Sequence, residues 1–174
     1  RSSAQPGARP PGRASTAGTG TGVCWRCVRH YRSMNASTDE SPGLVYVAGT
    51  DPVTGRFRAH EIPVRPAQVP LLLDALTDVG GYVEVRRSAG DYPWMAVSVL
   101  RGSCVVHWFI GPDEVALLDG DGSLDDSATI ELPLLHEPAV FSGACVVTLD
   151  RARRVLDEFV STTSARPSTG WTLL

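Results

Sequence analysis

The apolar positions of this chain fall mostly into short runs separated by turn residues, and only two stretches repeat them at helical spacing. Leu44-Val-Tyr-Val47 is the first run. Gly49-Thr-Asp-Pro-Val-Thr-Gly55 is dense in turn formers, and Arg56–Ile62 alternates in part, so this pair predicts a β-hairpin. Val69, Leu72, Leu73 and Leu76 then share one helical face, closed by Gly80-Gly81. Pro70 fits if that helix begins near Ala67, because its missing N–H falls among the unpaired donors of the first turn. Strands are predicted at Tyr82–Arg87, Trp94–Leu100, Cys104–Ile110 and Val115–Leu118, in meander order, with two more at Thr129–Leu132 and Cys145–Leu149. The second helix carries Ala152, Val155, Leu156, Phe159 and Val160 as one stripe behind Asp150 as N-cap, with Arg154 and Glu158 as an i,i+4 pair on its polar side. Arg166-Pro167 ends that region and Gly170–Leu174 predicts a last strand. The order implies an α+β fold: a meander-like antiparallel sheet with two main helices packed on it. About 140 residues bury roughly 68% of their unfolded surface, enough for one core. There is no internal repeat.

Residues 1–22 lie outside this pattern. They use seven residue types, none more apolar than Ala or Pro, so no buried surface could offset the entropy of ordering them. Charge divides at nearly the same place. Residues 1–33 carry six arginines and no acid, whereas residues 34–174 carry ten arginines against nineteen acids, a net charge of −9. The expected organisation is a disordered basic extension over residues 1–33, upstream of the native start at Met34, and a single domain over 34–174. With neither an apolar leader core nor helical amphipathicity in the extension, a cytoplasmic setting is expected. No run approaches the ~18 apolar residues of a membrane span. All sixteen basic residues are arginine, which removes Schiff-base chemistry, the P-loop lysine and the kinase lysine together.

The candidate chemistry is sparse. Cys24-Trp-Arg-Cys27 with His30 offers half a zinc site, but there is no second CxxC or paired histidine, so no metal or other cofactor is expected. Cys104 and Cys145 fall in predicted strands and read as small buried apolar residues. The loop from Asp119 has calcium-site spacing at its start only: Leu124 stands where the sixth position needs Gly, and Ile130 where the twelfth needs Glu. His60, His107 and His136 are scattered, with no HExxH motif and no GxSxG elbow beside them. His107, among Val106, Trp108 and Phe109, is expected to be a hydrogen-bonded sheet histidine. Asp91-Tyr-Pro-Trp94 either presents aromatics to a partner or forms a turn with a packed Trp94. The densest feature is acidic: Asp113, Glu114, Asp119, Asp121, Asp125, Asp126, Glu131 and Glu137 lie within 25 residues that contain no base. Such a stretch repels nucleic acid and attracts basic proteins.

A strand, an amphipathic helix ending Glu158-Phe-Val-Ser-Thr-Thr, then Arg166-Pro167 and a strand opening at Trp171 resemble the Imm1 family of bacterial immunity proteins. Gly80-Gly81-Tyr-Val-Glu-Val, Trp94-Met-Ala-Val-Ser-Val, the Cys104–Ile110 strand and the acidic connection extend the resemblance over residues 44–174. The all-arginine, Gly/Ala/Val/Asp-rich composition is similar to that of actinobacterial proteins. The resemblance implies a non-enzymatic antidote from a polymorphic toxin locus. Such a protein binds a cognate toxin, a nuclease or nucleic-acid deaminase, and occludes its basic active-site groove. The eight acids are then the expected partner-binding residues, and reversing Asp121, Asp125 and Asp126 should weaken capture. No membrane contact and no direct nucleic-acid binding by residues 34–174 are expected. Two other readings stay open: a small enzyme assembled around His107 with Asp91 or Glu84, and a nucleic-acid adaptor with a basic tail.

Overall fold

In a computed structural model that describes residues 43–88, 92–162 and 170–174, one continuous series of strand pairings organises the chain. The strands are β1 (Val45–Thr50), β2 (Phe57–Val64), β3 (Gly81–Arg86), β4 (Trp94–Leu100), β5 (Ser103–Gly111), β6 (Glu114–Leu118), β7 (Thr129–Leu134), β8 (Glu137–Ser142), β9 (Val147–Thr148) and β10 (Trp171–Leu173). The helices are α1 (Val69–Leu76), entered through a 3-10 turn at Pro66–Gln68, and α2 (Leu149–Ser161). The main sheet runs β10-β6-β5-β4-β3-β1-β2, with the short β9 added to β5, and every pairing is antiparallel. This is the expected α+β fold, with β3 to β6 forming the meander. β7 and β8 make a separate two-stranded ribbon.

Period two sorts each strand onto two faces. Val45 and Val47, Val83 and Val85, Met95, Val97 and Val99, and Cys104, Val106 and Trp108 all point to the helix side. There they bury the predicted stripe Val69, Leu72, Leu73 and Leu76 of α1, and Ala152, Leu156 and Phe159 of α2, with Val155 and Val160 partly covered. Gly80 ends the α1 turn at φ +78°, its N–H donating to the Leu76 carbonyl at 2.8 Å. The opposite face holds a smaller core of Val105, Leu132 and Val146 beneath the ribbon. The molecule thus has three layers, helices, sheet and ribbon.

Three local expectations are corrected. β8 was not predicted: Glu137-Pro-Ala-Val-Phe-Ser carries a proline and shows solvent every second residue, which an outer ribbon tolerates. The strand expected at Cys145–Leu149 is mostly something else, namely a 3-10 turn at Gly143–Cys145, the two-residue β9, and the start of α2 at Leu149. Thr148, not Asp150, caps α2: its backbone is extended and its hydroxyl accepts from the Arg151 N–H, while Asp150 lies in the first turn, hydrogen-bonded to Arg153. Residues 1–33, with Cys24, Cys27 and His30, and the Arg166-Pro167 pair lie outside the described residues.

Candidate functional site

The ribbon packs on one face of the sheet, against β3, β4 and β5. Its tip brings His136 edge-on to Phe57, at the start of β2, with ring centroids 5.8 Å apart. Phe141 near its base meets His107 of β5, also at 5.8 Å. Running across the strands in this way, it lies toward the Gly102 end, where Tyr82, Ser98 and Val105 are buried, while Trp94 and Phe109 at the other end stay partly exposed.

At that end the registers Tyr46↔Pro63, Tyr46↔Arg86, Arg86↔Trp94, Trp94↔Phe109 and Phe109↔Val115 line six strands' residues into one row. Pro63 is exposed and the other five are half-buried. The centre of the row is a stack. The Arg86 guanidinium lies 4.4 Å from the Trp94 ring centroid, and Phe109 lies parallel to Trp94 at 3.7 Å and 6°. Glu61 holds Arg86 through Nε at 2.6 Å, and Glu84 approaches it at 3.5 Å. Burial pushes the Glu84 carboxyl above its usual range despite the Arg86 charge. Of the Asp91–Trp94 segment, Trp94 packs in the row, Tyr92 is 41% exposed, and Asp91 lies outside the described residues.

Beside the row, the Glu84↔Ala96↔His107 register puts the acid and the imidazole on one face with buried Ala96 between them. Two strand spacings, about 10 Å, separate their backbones. Glu84 is engaged by Arg86 and the Tyr82 hydroxyl, so it does not act on His107. The expected hydrogen bond to His107 is not formed: Nδ1 is buried without a partner among the described residues, and ring contacts to Phe109 and Phe141 hold the imidazole instead. Burial lowers its pKa to about 4. Relative to an unfolded value of 6.5, the folded state refuses a proton that the unfolded chain accepts, so stability is full above pH 6.5 and falls as pH drops toward 4. The loss should reach at most about 3 kcal/mol in denaturant melts, and His107→Phe should flatten the pH 4–6.5 slope. An unchanged slope in that variant would assign the pH dependence elsewhere.

The eight acids do not form one patch. Asp113 and Glu114 sit on the β5–β6 turn at the Trp94 end, whereas Asp119, Asp121, Asp125 and Asp126 follow β6 at the other end. The five residues of β6 put roughly 17 Å between the groups. Glu131 and Glu137 are on the ribbon. Three of the acids are occupied by local structure. Asp119 accepts from the Thr172 hydroxyl at 2.7 Å, and Asp125 from the Ser127 N–H at 2.9 Å. Asp121 accepts from both the N–H and the hydroxyl of Thr148 at 2.8 Å and from the Ser123 N–H at 3.1 Å. Partial burial works against the Asp121 carboxylate, but the Thr148 and Ser123 bonds outweigh it and hold its pKa near about 2. Asp113, Glu114, Asp126, Glu131 and Glu137 are exposed, and none pairs with an arginine among the described residues.

That imbalance has a simple source. Residues 102–150 contain nine acids and no arginine, while the rest of 34–174 has ten of each, so this segment alone accounts for the −9. The arginines elsewhere form ion pairs mainly with acids outside that segment: Arg58 with Asp51, Arg86 with Glu61 and Glu84, and Arg153 with Asp74, with Asp150 as the one acid of 102–150 drawn into such a pair among the described residues.

Cys104 is buried on the helix side, where burial pushes its thiol up to about 12, and Cys145 is half-buried under the ribbon, in the 3-10 turn rather than a strand. They lie on opposite faces of the sheet. Among the described residues no three His, Cys, Asp or Glu side chains group to hold a metal ion, and no helix is long and apolar enough to cross a membrane.

The chain matches no family model and no curated protein. The row was missed at the level of sequence because its members are spread over seventy positions, from Tyr46 to Val115. The available signal was the non-core side of strands that look apolar throughout: Tyr82, Glu84 and Arg86, then Trp94, Ala96 and Ser98, then His107 and Phe109.

Proposed function

We propose that this protein is an immunity protein, which captures a cognate bacterial toxin acting on nucleic acid and occludes its basic active-site groove. What supports the reading is the uncompensated charge of residues 102–150, displayed through five exposed carboxylates that have no arginine beside them. A groove built to bind phosphates is lined with cations, and carboxylates presented on a rigid surface can take the place of phosphates there. Opposite charge also speeds encounter, which matters when the toxin must be caught before it acts. The resemblance to Imm1 proteins points the same way. The protein would work in the cytoplasm, where nucleic acid is at risk, and as a binder rather than an enzyme.

Calorimetric titration of the full chain against the protein encoded immediately upstream tests this. Binding is expected one-to-one at about 1 nM or tighter and weaker at physiological than at low salt. Reversing Asp126, Glu131 and Glu137 to Arg should weaken it about 100-fold at low salt and flatten the salt dependence. These three replace the Asp121 set suggested by sequence, since Asp121 and Asp125 hold the loop and their loss would confound charge with folding. Absence of heat at either salt would overturn the proposal.

A further inference from the structure

We infer that the row Tyr46–Arg86–Trp94–Phe109 is the energetic centre of the interface, seating apolar side chains of a basic protein partner; this rests on the capture reading above. The six aligned residues span five strand spacings, roughly 24 Å, a width suited to the ~800 Å² that each side of a stable complex buries. Trp, Tyr and Arg are the residue types that dominate such interfaces. Here they are fixed in advance: Arg86 is held by Glu61 and stacked on Trp94, and Trp94 is stacked on Phe109. Little side-chain freedom remains to be lost when a partner docks.

Charge selects the occupant. Phe109 and Val115 lead into and out of the turn that carries Asp113 and Glu114, both exposed and without an arginine partner among the described residues. A partner segment with an apolar side chain flanked by Arg or Lys complements an aromatic row ending in two free carboxylates. A second copy of this chain would bring the same acidic turn to the interface, like charge against like.

The test is Trp94→Ala in the full chain, titrated against the upstream-encoded protein at low salt and at about 0.5 M salt, where exposed charges are screened. Binding should weaken about 30-fold or more at both salts, whereas the effect of the Asp126, Glu131 and Glu137 reversal should fade at the higher one. If Trp94→Ala lowers the thermal midpoint, Tyr46→Ala on β1 reads the same row from its other end. Wild-type-like affinity in both row variants, with the acidic reversal still harmful, overturns the row and leaves the capture reading intact. If the wild type itself does not bind, both fall. Light scattering that shows a dimer abolished by Trp94→Ala would assign the row to self-association and overturn the inference.

Discussion

Gly143→Ala should destabilise the domain by about 3 kcal/mol or more, lowering the thermal midpoint by roughly 10 °C. An alanine Cβ at 143 would collide with the Asp125 carbonyl oxygen and stand 2.7 Å from its carbon. Both obstacles are backbone, so no rotamer change relieves the contact. The approach is close because two backbones bond there: the Gly143 N–H donates to the Ala128 carbonyl at 2.8 Å, and the Gly120 N–H to the Ala144 carbonyl at 2.7 Å. Pushing them apart would break these bonds and lift the acidic loop off the turn that precedes α2. Gly122→Ala is the control. It has φ +75° and open space around its Cβ position, so it isolates conformational strain without collision, and it should cost only about 1 kcal/mol. Equal effects of the two substitutions in urea melts would rule out the backbone contact as the cause.

Trp108→Ala should cost about 4 kcal/mol, the largest effect expected from a single truncation in the main core. Trp108 is 2% exposed on the helix side of β5, and its ring lies 5.5 Å from that of Trp171 on β10. β10 is three residues long and pairs only with β6. Beyond its ladder and the flanking Asp119–Gly170 and Leu174–Val115 backbone bonds, it is held by that ring contact and by the Asp119–Thr172 bond. The variant should lose stability and also expose the Trp171 indole, seen as a red shift in fluorescence under native conditions. A loss below about 1 kcal/mol would mean that the surrounding core collapses into the space without penalty.

Both helices and the meander were legible in the sequence because their apolar residues follow their own period. Val69, Leu72, Leu73 and Leu76 have no other face to share, and the run Trp94–Leu100 matches β4 end to end. β8 was not legible, because Pro138 and the exposed Glu137 and Val140 argue against a strand unless a ribbon lying on another sheet is already in view. The site was less legible than the fold. Contiguity from Asp113 to Glu137 suggested one patch, but β6 carries the chain from one end of the sheet to the other in the middle of it. The tie between Asp121 and Thr148 spans 27 residues, and the Arg86–Trp94–Phe109 stack exists only through strand register. Composition located the surplus charge, and register decided which carboxylates are free to use it.

The placement of that surplus has a consequence beyond attraction. Apart from Asp150, which pairs with Arg153, the acids of residues 102–150 have no arginine partner among the described residues, so that part of the chain carries a dipole as well as a net negative charge. A uniformly charged particle is only pulled toward a cationic surface, whereas a dipole also feels a torque. Within a Debye length, about 8 Å at physiological salt, that torque turns the β5–β8 side forward before any side chain touches. Under the proposed capture of a basic partner, collisions would then arrive already oriented, and fewer of them would be spent on the wrong face.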